Sequence, residues 1–422
     1  MRILTLSNLY PPFFIGGYEL NCHNTVEGLR GRGHEMHVLT SDYGLDKSPI
    51  PENEKTVYRL LKIHGMYGNP WLGIHQLQSL EKYNNRTLRS VLEKVSPDLV
   101  YIWNMGGLSK SMLLTLQELG IPTAFYVSDH WIARCEKADV WLRWWNCNNP
   151  SFKQRILRNL RTVSGFRGRC QKVTPTNPVK HLVFRNVQFC SEFLRTFTAE
   201  AGFPVSQGII TYCPVNIERF NAPVKPVDKP LQRLLVVGRI TQDKGTMTAI
   251  KAMELVRDKF AGELTVCGKG EADYEKEVRD YAASRKLPIK FTSVSSPDAM
   301  PALYREHDAL LFTSEWEEPF AITPLEAMAS GLPVIGTMTG GSKELFREGQ
   351  NALTYNAGSS EQLARQILRL DKNPELRFQI ANTGRTEVHA RYNEKAYLDQ
   401  ADHFLKESFK SWAPVPLQPY NR

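Results

Sequence analysis

The sequence predicts an α/β fold built from two doubly wound, Rossmann-like halves, and three observations carry that reading. Short apolar runs that suit buried parallel strands alternate with helical patterns from the first residues to about residue 335. At 422 residues the chain is too long for one ordinary core, since single cores stop growing at roughly 250–300 residues. Between the two alternating series lies Asn221 to Pro230, NAPVKPVDKP, which holds three prolines and no apolar periodicity and reads as a linker. The expected domains are residues 1–220 and 231–393, followed by a last helix over 394–412.

The first strand is predicted over Arg2 to Ser7, after which Pro11 and Pro12 break the pattern. Gly16 and Gly17 precede a helix over Glu19 to Arg32 that stops at Gly33, and Met36 to Thr40 is the next strand, so the chain opens with a β-α-β unit. Further strands are expected over Leu99 to Trp103, Thr123 to Val127, Val187 to Cys190 and Ile209 to Cys213. In the second half the strands are Leu234 to Val237, Glu263 to Val266, Ile289 to Phe291, Ala309 to Thr313 and Pro333 to Ile335. The stretch SEWEEPFAITPLEAMA, Ser314 to Ala329, then reads as an acidic loop and a helix start, with the helical pattern beginning at Pro324. The last helix sets Tyr397, Leu398, Ala401, Phe404, Leu405 and Phe409 on one stripe and must pack on something. The tail beyond Trp412 is rich in proline and is expected to fray.

Composition is that of a soluble globular protein, 42% hydrophobic and 23% charged with no low-complexity tract. No apolar run approaches the roughly 18 residues of a membrane span, and polar residues and prolines interrupt MRILTLSNLYPPF before a signal-peptide core can form, so a cytoplasmic location is the default expectation. The seven cysteines are dispersed and never form a CxxC pair, which disfavours both a disulfide framework and a zinc ribbon. The net charge of +9 is local. Residues 141–185 hold ten Lys or Arg and no Asp or Glu, which leaves the remainder of the chain near neutrality.

Several residue groups point to chemistry. VVGRITQDKG places Arg239 and Lys244 around a loop that follows a strand and opens a helix, where two cations and a helix dipole suit a diphosphate; a solvated basic loop is the alternative. LTVCGKG ends the next strand in a second glycine turn at Gly268. Glu318 falls on the loop at the carboxyl end of a strand, where open α/β sheets bind ligands, and Glu326 falls in the first turns of the following helix. The Gly16-Gly17 pair lets backbone N–H groups approach an anion, and a bare turn fits it equally well.

Taken together, VGRITQDKG, GKGE, EPFAITPLEAMASGLPVI and TGGSKE resemble the C-terminal half of family four glycosyltransferases with the GT-B fold. YPPFFIGGYE, LRGRGHEMHVLTS and CPVNIERF are similar to that family's N-terminal half and domain junction, so the resemblance covers essentially the whole chain. It implies two Rossmann-like domains facing a cleft, with the C-terminal helix crossing back to the N-terminal domain. It also implies a retaining hexosyl transfer from a nucleotide-diphosphate sugar, UDP first and GDP second, to a sugar, lipid-linked or small-molecule acceptor.

In that scheme Arg239 and Lys244 hold the diphosphate and neutralise the leaving group, beside the glycine turns at Gly238 and Gly268. Glu326 accepts hydrogen bonds from the ribose, Glu318 faces the donor sugar, and the backbone N–H groups of Phe320, Ala321 and Ile322 cap its hydroxyls or the phosphate. Gly16 and Gly17 close over the diphosphate from the other domain. No Asp-x-Asp occurs in the chain, so the two cations stand in for a metal, and no cofactor is expected beyond the nucleotide-sugar substrate.

The sequence departs from the family at three places. Ala321 and Ser293 stand where the family often has glycine, and aligning YVSDHWIARC on Asp129 and Trp131 puts Ser128 where it commonly has histidine. Asp129 is then the candidate for touching donor or acceptor, with helix capping as its alternative role, and His130 is a tentative acceptor contact.

The basic segment adds an amphipathic pattern. In SFKQRILRNLRTV, Phe152, Ile156, Leu160 and Val163 share one helical face while Lys153, Arg155, Arg158 and Arg161 fill the remainder, just after Trp141, Trp144 and Trp145. Arg155, Arg158 and Arg161 are candidate contacts to an acceptor or to an anionic membrane surface, where each cation gains about 1 kcal/mol. Peripheral attachment at the inner face of the membrane is one reading. Packing on the N-terminal sheet and a platform for a phosphorylated acceptor are the others, and no nucleic-acid-binding module is recognisable. Two rivals to the transferase share the two-domain plan: a sugar-nucleotide epimerase and a non-catalytic nucleotide-sugar-binding protein.

Overall fold

Buried apolar runs become the strands of two all-parallel sheets, one in each of two units. The structure is a computed structural model and describes residues 1–46, 54–294 and 296–414. The proline-rich tail expected to fray lies, from residue 415 on, outside the described residues. Unit 1 comprises Met1–Cys190, Leu194–Thr211 and the chain from Leu398 onward; unit 2 comprises Ser191–Phe193 and Tyr212–Tyr397.

Unit 1 alternates β1 (Arg2–Leu6), α1 (Gly17–Gly31), β2 (Glu35–Ser41), β3 (Val57–Leu61), α2 (Ile74–Val95), β4 (Leu99–Ile102), α3 (Ser111–Glu118) and β5 (Thr123–Val127). Four short helices follow: α4 (Trp131–Ala138), α5 (Val140–Asn146), α6 (Phe152–Val163) and α7 (Phe166–Gln171). Then come β6 (Val187–Phe189), α8 (Glu192–Glu200) and β7 (Ile209–Ile210). Its sheet runs β3-β2-β1-β4-β5-β6-β7. The central strands β4 and β5 are buried along their whole length, the state expected of parallel strands covered on both faces. Strand β3 escaped the sequence reading because Arg59 interrupts its apolar run; the guanidinium is consumed internally, donating to Tyr10 O at 2.9 Å and pairing with Glu54 at 2.8 Å.

Unit 2 alternates β8 (Arg233–Val237), α9 (Thr246–Val256), β9 (Glu263–Cys267), α10 (Ala272–Ser284), β10 (Ile289–Thr292), α11 (Met300–Glu306), β11 (Ala309–Phe312), α12 (Ile322–Ala329), β12 (Val334–Thr337) and β13 (Leu353–Tyr355). Helices α13 (Ser360–Lys372) and α14 (Pro374–Arg391) follow in unit 2, and α15 (Glu394–Lys410) starts there and continues into unit 1. The sheet order is β10-β9-β8-β11-β12-β13. Leu234, Val236, Leu264 and Leu311 of the sheet meet Ile250 of α9 and Ile367 of α13 in one core.

The segment Asn221 to Pro230, read from sequence as the linker, packs on unit 2. Lys225 Nζ lies 2.7 Å from Asp308, Arg385 Nε donates to Ala222 O at 2.9 Å and Arg377 donates to Val227 O at 3.3 Å. Missing periodicity marks missing helix or strand; it does not mark missing contacts. Helix α15 begins in unit 2 and packs in unit 1 from Leu398 onward, where Asp399 pairs with Arg32 at 2.7 Å and Asp402 with the buried His34 at 2.8 Å.

Candidate active site

Three strand ends of unit 2, those of β8, β9 and β11, carry the residues singled out from sequence. Beyond β8 the chain turns at Gly238, whose N–H donates to Cys267 O at 3.1 Å, and Ile240 N–H donates to Lys269 O at 3.0 Å. The turns after β8 and β9 therefore run backbone against backbone. A Cβ on Gly268 would stand 1.8 Å from Gly238 O, a distance only glycine permits. Arg239 projects from this turn, exposed and without an ion-pair or hydrogen-bond partner among the described residues.

Lys244 ends the next turn, just before α9. Gly245 behind it has φ +66°, and a Cβ there would lie 2.0 Å from Thr313 O. Thr313 Oγ1 donates to Lys244 O at 2.6 Å, which fixes the lysine backbone to the end of β11. From that anchor Lys244 Nζ reaches Glu318 Oε1 at 2.5 Å and lies 5.3 Å from the Trp316 ring centroid. Glu318 is 8% exposed and also accepts from Ser314 Oγ at 2.7 Å. Its loop is held by neighbours: Glu318 O accepts from Gly341 N–H at 2.7 Å, Glu317 accepts from Gly340 N–H, and Glu315 accepts from Thr248 Oγ1 at 2.5 Å. An ammonium has three N–H donors, so pairing with Glu318 leaves Lys244 able to meet a second anion.

Helix α12 starts at Ile322, two residues before the expected Pro324, because Pro324 fits the first turn without an N–H of its own. Ala321 occupies the N-cap position and no side chain caps the helix, so the leading amides are available to a ligand. Phe320 contributes only backbone here, because its ring packs on Tyr212 and Tyr392 with centroids 5.2 and 6.0 Å away.

Glu326 stands one turn into α12 and accepts from Tyr304 Oη at 2.8 Å. Burial lifts its carboxyl to about 7, opposed by the Tyr304 hydrogen bond and the nearby Arg219 charge. Burial and that same carboxylate keep the Tyr304 phenol protonated. Glu326 Oε1 has no hydrogen-bond partner among the described residues. The structure thus joins Lys244 with Glu318 and Glu326 with Tyr304, while Arg239 has no partner among the described residues. Tyr304 and Arg219 were not found from sequence, since they reach the site from α11 and from the chain before β8.

Unit 1 also gathers polar residues at strand ends. Gly16 is the N-cap of α1, and the expectation that both glycine amides face an anion needs correction there. Glu19 Oε2 accepts from Gly16 N–H at 3.0 Å, so a buried carboxylate already serves the helix start. The signal was present as a Glu three residues after the N-cap. Asn104 Nδ2 donates to the other oxygen of Glu19 at 3.2 Å. A Cβ on Gly16 would meet no atom within 4 Å, so the surface beside Gly16 is open.

Asp129 follows β5 and accepts from the N–H of Trp131, the first residue of α4, at 2.9 Å, and burial raises its carboxyl to about 6. His130 is not an open contact. It is buried with its ring 4.8 Å from Phe197, and burial, with Arg134 nearby, pushes it down to about 4, so it is a neutral core residue. Of the three candidate arginines on α6, Arg158 is tied to Trp145 O and Cys147 O at 3.1 Å each. Arg161 donates to His75 Nδ1 at 3.2 Å and stacks on Trp144 and Phe166. Arg155 is exposed and has no partner among the described residues. The reading in which α6 packs its apolar face on the sheet is overturned, since none of its residues is buried.

Comparison with known proteins gives a consistent match. A model of Glycosyltransferase Family 4 matches residues 15–219, and a model of Glycosyl transferases group 1 matches residues 218–387. An uncharacterized glycosyltransferase of Methanocaldococcus jannaschii is 23% identical over 409 residues, 93% of this chain and 95% of that protein. The lipopolysaccharide 1,2-N-acetylglucosaminetransferase of Salmonella typhimurium is 31% identical over 190 residues, 42% of this chain and 48% of its own length. Among solved structures, Anabaena HepE in complex with UDP superposes with a TM-score of 0.67 at 19% identity, covering 96% of this chain and all of that one. Sucrose-phosphate synthase of Thermosynechococcus elongatus gives 0.69 at 17% identity, covering 97% and 99%. Both likenesses are of fold.

Proposed function

Because the chain belongs to the family four, group 1 glycosyltransferases of GT-B fold, we propose that it moves a hexose from a UDP-sugar to an acceptor hydroxyl with retention of anomeric configuration and without a metal ion. The observation that carries this reading is the Lys244–Glu318 pair at the strand ends of unit 2, with Arg239, which has no partner among the described residues, on the neighbouring turn. HepE, described with both UDP and UDP-glucose bound, supports the choice of uridine.

In the proposed step the bond from C1 to the diphosphate breaks while the acceptor oxygen bonds to C1 on the same face. The acceptor's proton passes to the departing phosphate oxygen, so no enzyme nucleophile is needed. Negative charge grows on the diphosphate, where Arg239 and the remaining donors of Lys244 stabilise it. Glu318 orients the lysine and faces the sugar, and the uncapped start of α12 offers amides to oxygen acceptors. Glu326 Oε1 accepts from the ribose. Asp129, ionised above about pH 6, accepts a hydrogen bond from a substrate hydroxyl.

The test is incubation with a panel of UDP- and GDP-hexoses in EDTA, followed by NMR of the released or transferred sugar. The expected result is slow hydrolysis of one UDP-hexose to a product of retained configuration, with full rate in EDTA. An inverted product, an epimerised nucleotide sugar or a strict metal requirement overturns the proposal.

Glu326 also gives the donor site a pH dependence. Its raised carboxyl favours the protonated form in the free protein below about pH 7, whereas a ribose acceptor role needs the ionised form. Donor binding then expels a proton as pH falls. UDP affinity should drop by up to about tenfold between pH 8 and pH 6. Titration calorimetry at the two pH values checks this, with Glu326→Gln as the comparison that separates the nucleotide's own phosphate titration. An identical slope in that variant removes Glu326 from the ribose contact.

A further inference from the structure

Helix α6 is mounted inside out. Gln154, Arg158 and Arg161 form the face turned to the protein: Gln154 Nε2 donates to Trp144 O at 2.9 Å, Arg158 to the carbonyls of Trp145 and Cys147, and Arg161 stacks on Trp144 and Phe166. About half a turn away lie Phe152, Ile156, Leu160 and Val163, which are 77%, 44%, 62% and 89% exposed. An ordinary surface helix has the opposite arrangement, with apolar residues inward and charges outward. Packing within the chain does not require this apolar face, and a contiguous exposed patch of this kind marks a binding surface.

The charges around it select the occupant. Lys153 and Arg155 flank the apolar stripe on its two sides, both exposed and without partners among the described residues. Arg143, Arg169, Lys172 and Lys180 are exposed on the adjoining segments, and residues 141–185 contain no carboxylate side chain. A second copy of the chain would bring the same cations to the contact and nothing to neutralise them. No described helix is long and apolar enough to cross a membrane.

We propose that α6 is a monotopic docking surface for an anionic bilayer, with Phe152, Ile156, Leu160 and Val163 entering the acyl boundary and Lys153 and Arg155 at the headgroup phosphates. This assignment is independent of the donor chemistry above. Arg158 and Arg161, which sequence alone suggested as lipid contacts, serve instead to mount the helix.

The test is flotation of the full chain with vesicles of phosphatidylcholine alone and of phosphatidylcholine with about 30% phosphatidylglycerol. The chain is expected to float with the anionic vesicles at least about tenfold more than with the neutral ones. Replacing the exposed apolar residues (Phe152→Ser, Leu160→Ser, Val163→Ser together) should abolish flotation while melting temperature and UDP affinity stay unchanged. Lys153→Glu with Arg155→Glu should remove the preference for anionic lipid. Failure of the wild type to float, or flotation of the triple serine variant at the wild-type level, overturns the proposal. So does a wild-type dimer in sedimentation that the serine variant converts to monomer, since a second copy would then be the occupant.

Discussion

Replacing Lys244 by alanine is expected to lower kcat/KM by about 10²–10³-fold, equivalent to about 2.7–4 kcal/mol of transition-state stabilisation. The magnitude follows from two losses at one point. The ammonium that meets the growing charge of the leaving diphosphate disappears, and Glu318, 8% exposed and 2.5 Å from that ammonium in the intact protein, is left as a carboxylate facing an anion. Ser314 Oγ still donates to it at 2.7 Å. Unpairing it should also cost about 1–3 kcal/mol of stability, read as a lowered melting temperature.

The same geometry predicts a signature that a merely structural lysine lacks. Combining Lys244→Ala with Glu318→Gln should recover part of the lost UDP affinity, because the second change removes the repulsion created by the first. Initial rates and UDP calorimetry on the two single variants and the double variant check this. Wild-type rates in Lys244→Ala would remove the residue from the chemistry, and strictly additive losses would uncouple the pair.

The sheets were legible in the sequence because parallel strands buried on both faces read as apolar runs, as in Leu99 to Ile102 and Ala309 to Phe312. Where a charge is satisfied inside the fold the run disappears from view, which is why β3 with Arg59 went unread. The loop carrying Glu318 and the helix carrying Glu326 were legible because each carboxylate sits at a fixed offset from a strand end. Tyr304 was not legible, since it meets Glu326 from a helix 22 residues upstream and no local pattern encodes that meeting. Glu19 could have been found from its capping-box spacing, and it changes what Gly16 can bind. For α6 the periodicity identified two faces but could not say which one points inward; that followed only from the carbonyls taken up by Gln154 and Arg158. Periodicity measures the separation of polar from apolar faces and is indifferent to the direction in which the helix is mounted.

Glycine to alanine changes at two positions should separate structural from ligand-driven requirements for a missing side chain. Gly268→Ala places a methyl carbon where Gly238 O now stands, 1.8 Å away, and a carbonyl in a strand-end turn has no rotamer through which to yield. The turns after β8 and β9 must part, straining the hydrogen bonds from Gly238 N–H to Cys267 O and from Ile240 N–H to Lys269 O. The expected cost is about 3 kcal/mol, measured by urea unfolding, together with loss of UDP affinity because Arg239 projects from the displaced turn. Gly16→Ala is the contrasting case. Its φ of −158° suits any residue and the added methyl meets no atom within 4 Å, so stability should remain within about 0.5 kcal/mol of wild type. Lost activity in Gly16→Ala at unchanged stability would mean that substrate occupies that open space. Full activity there, with Gly268→Ala unfolding as wild type, would mean that neither close approach matters to the site.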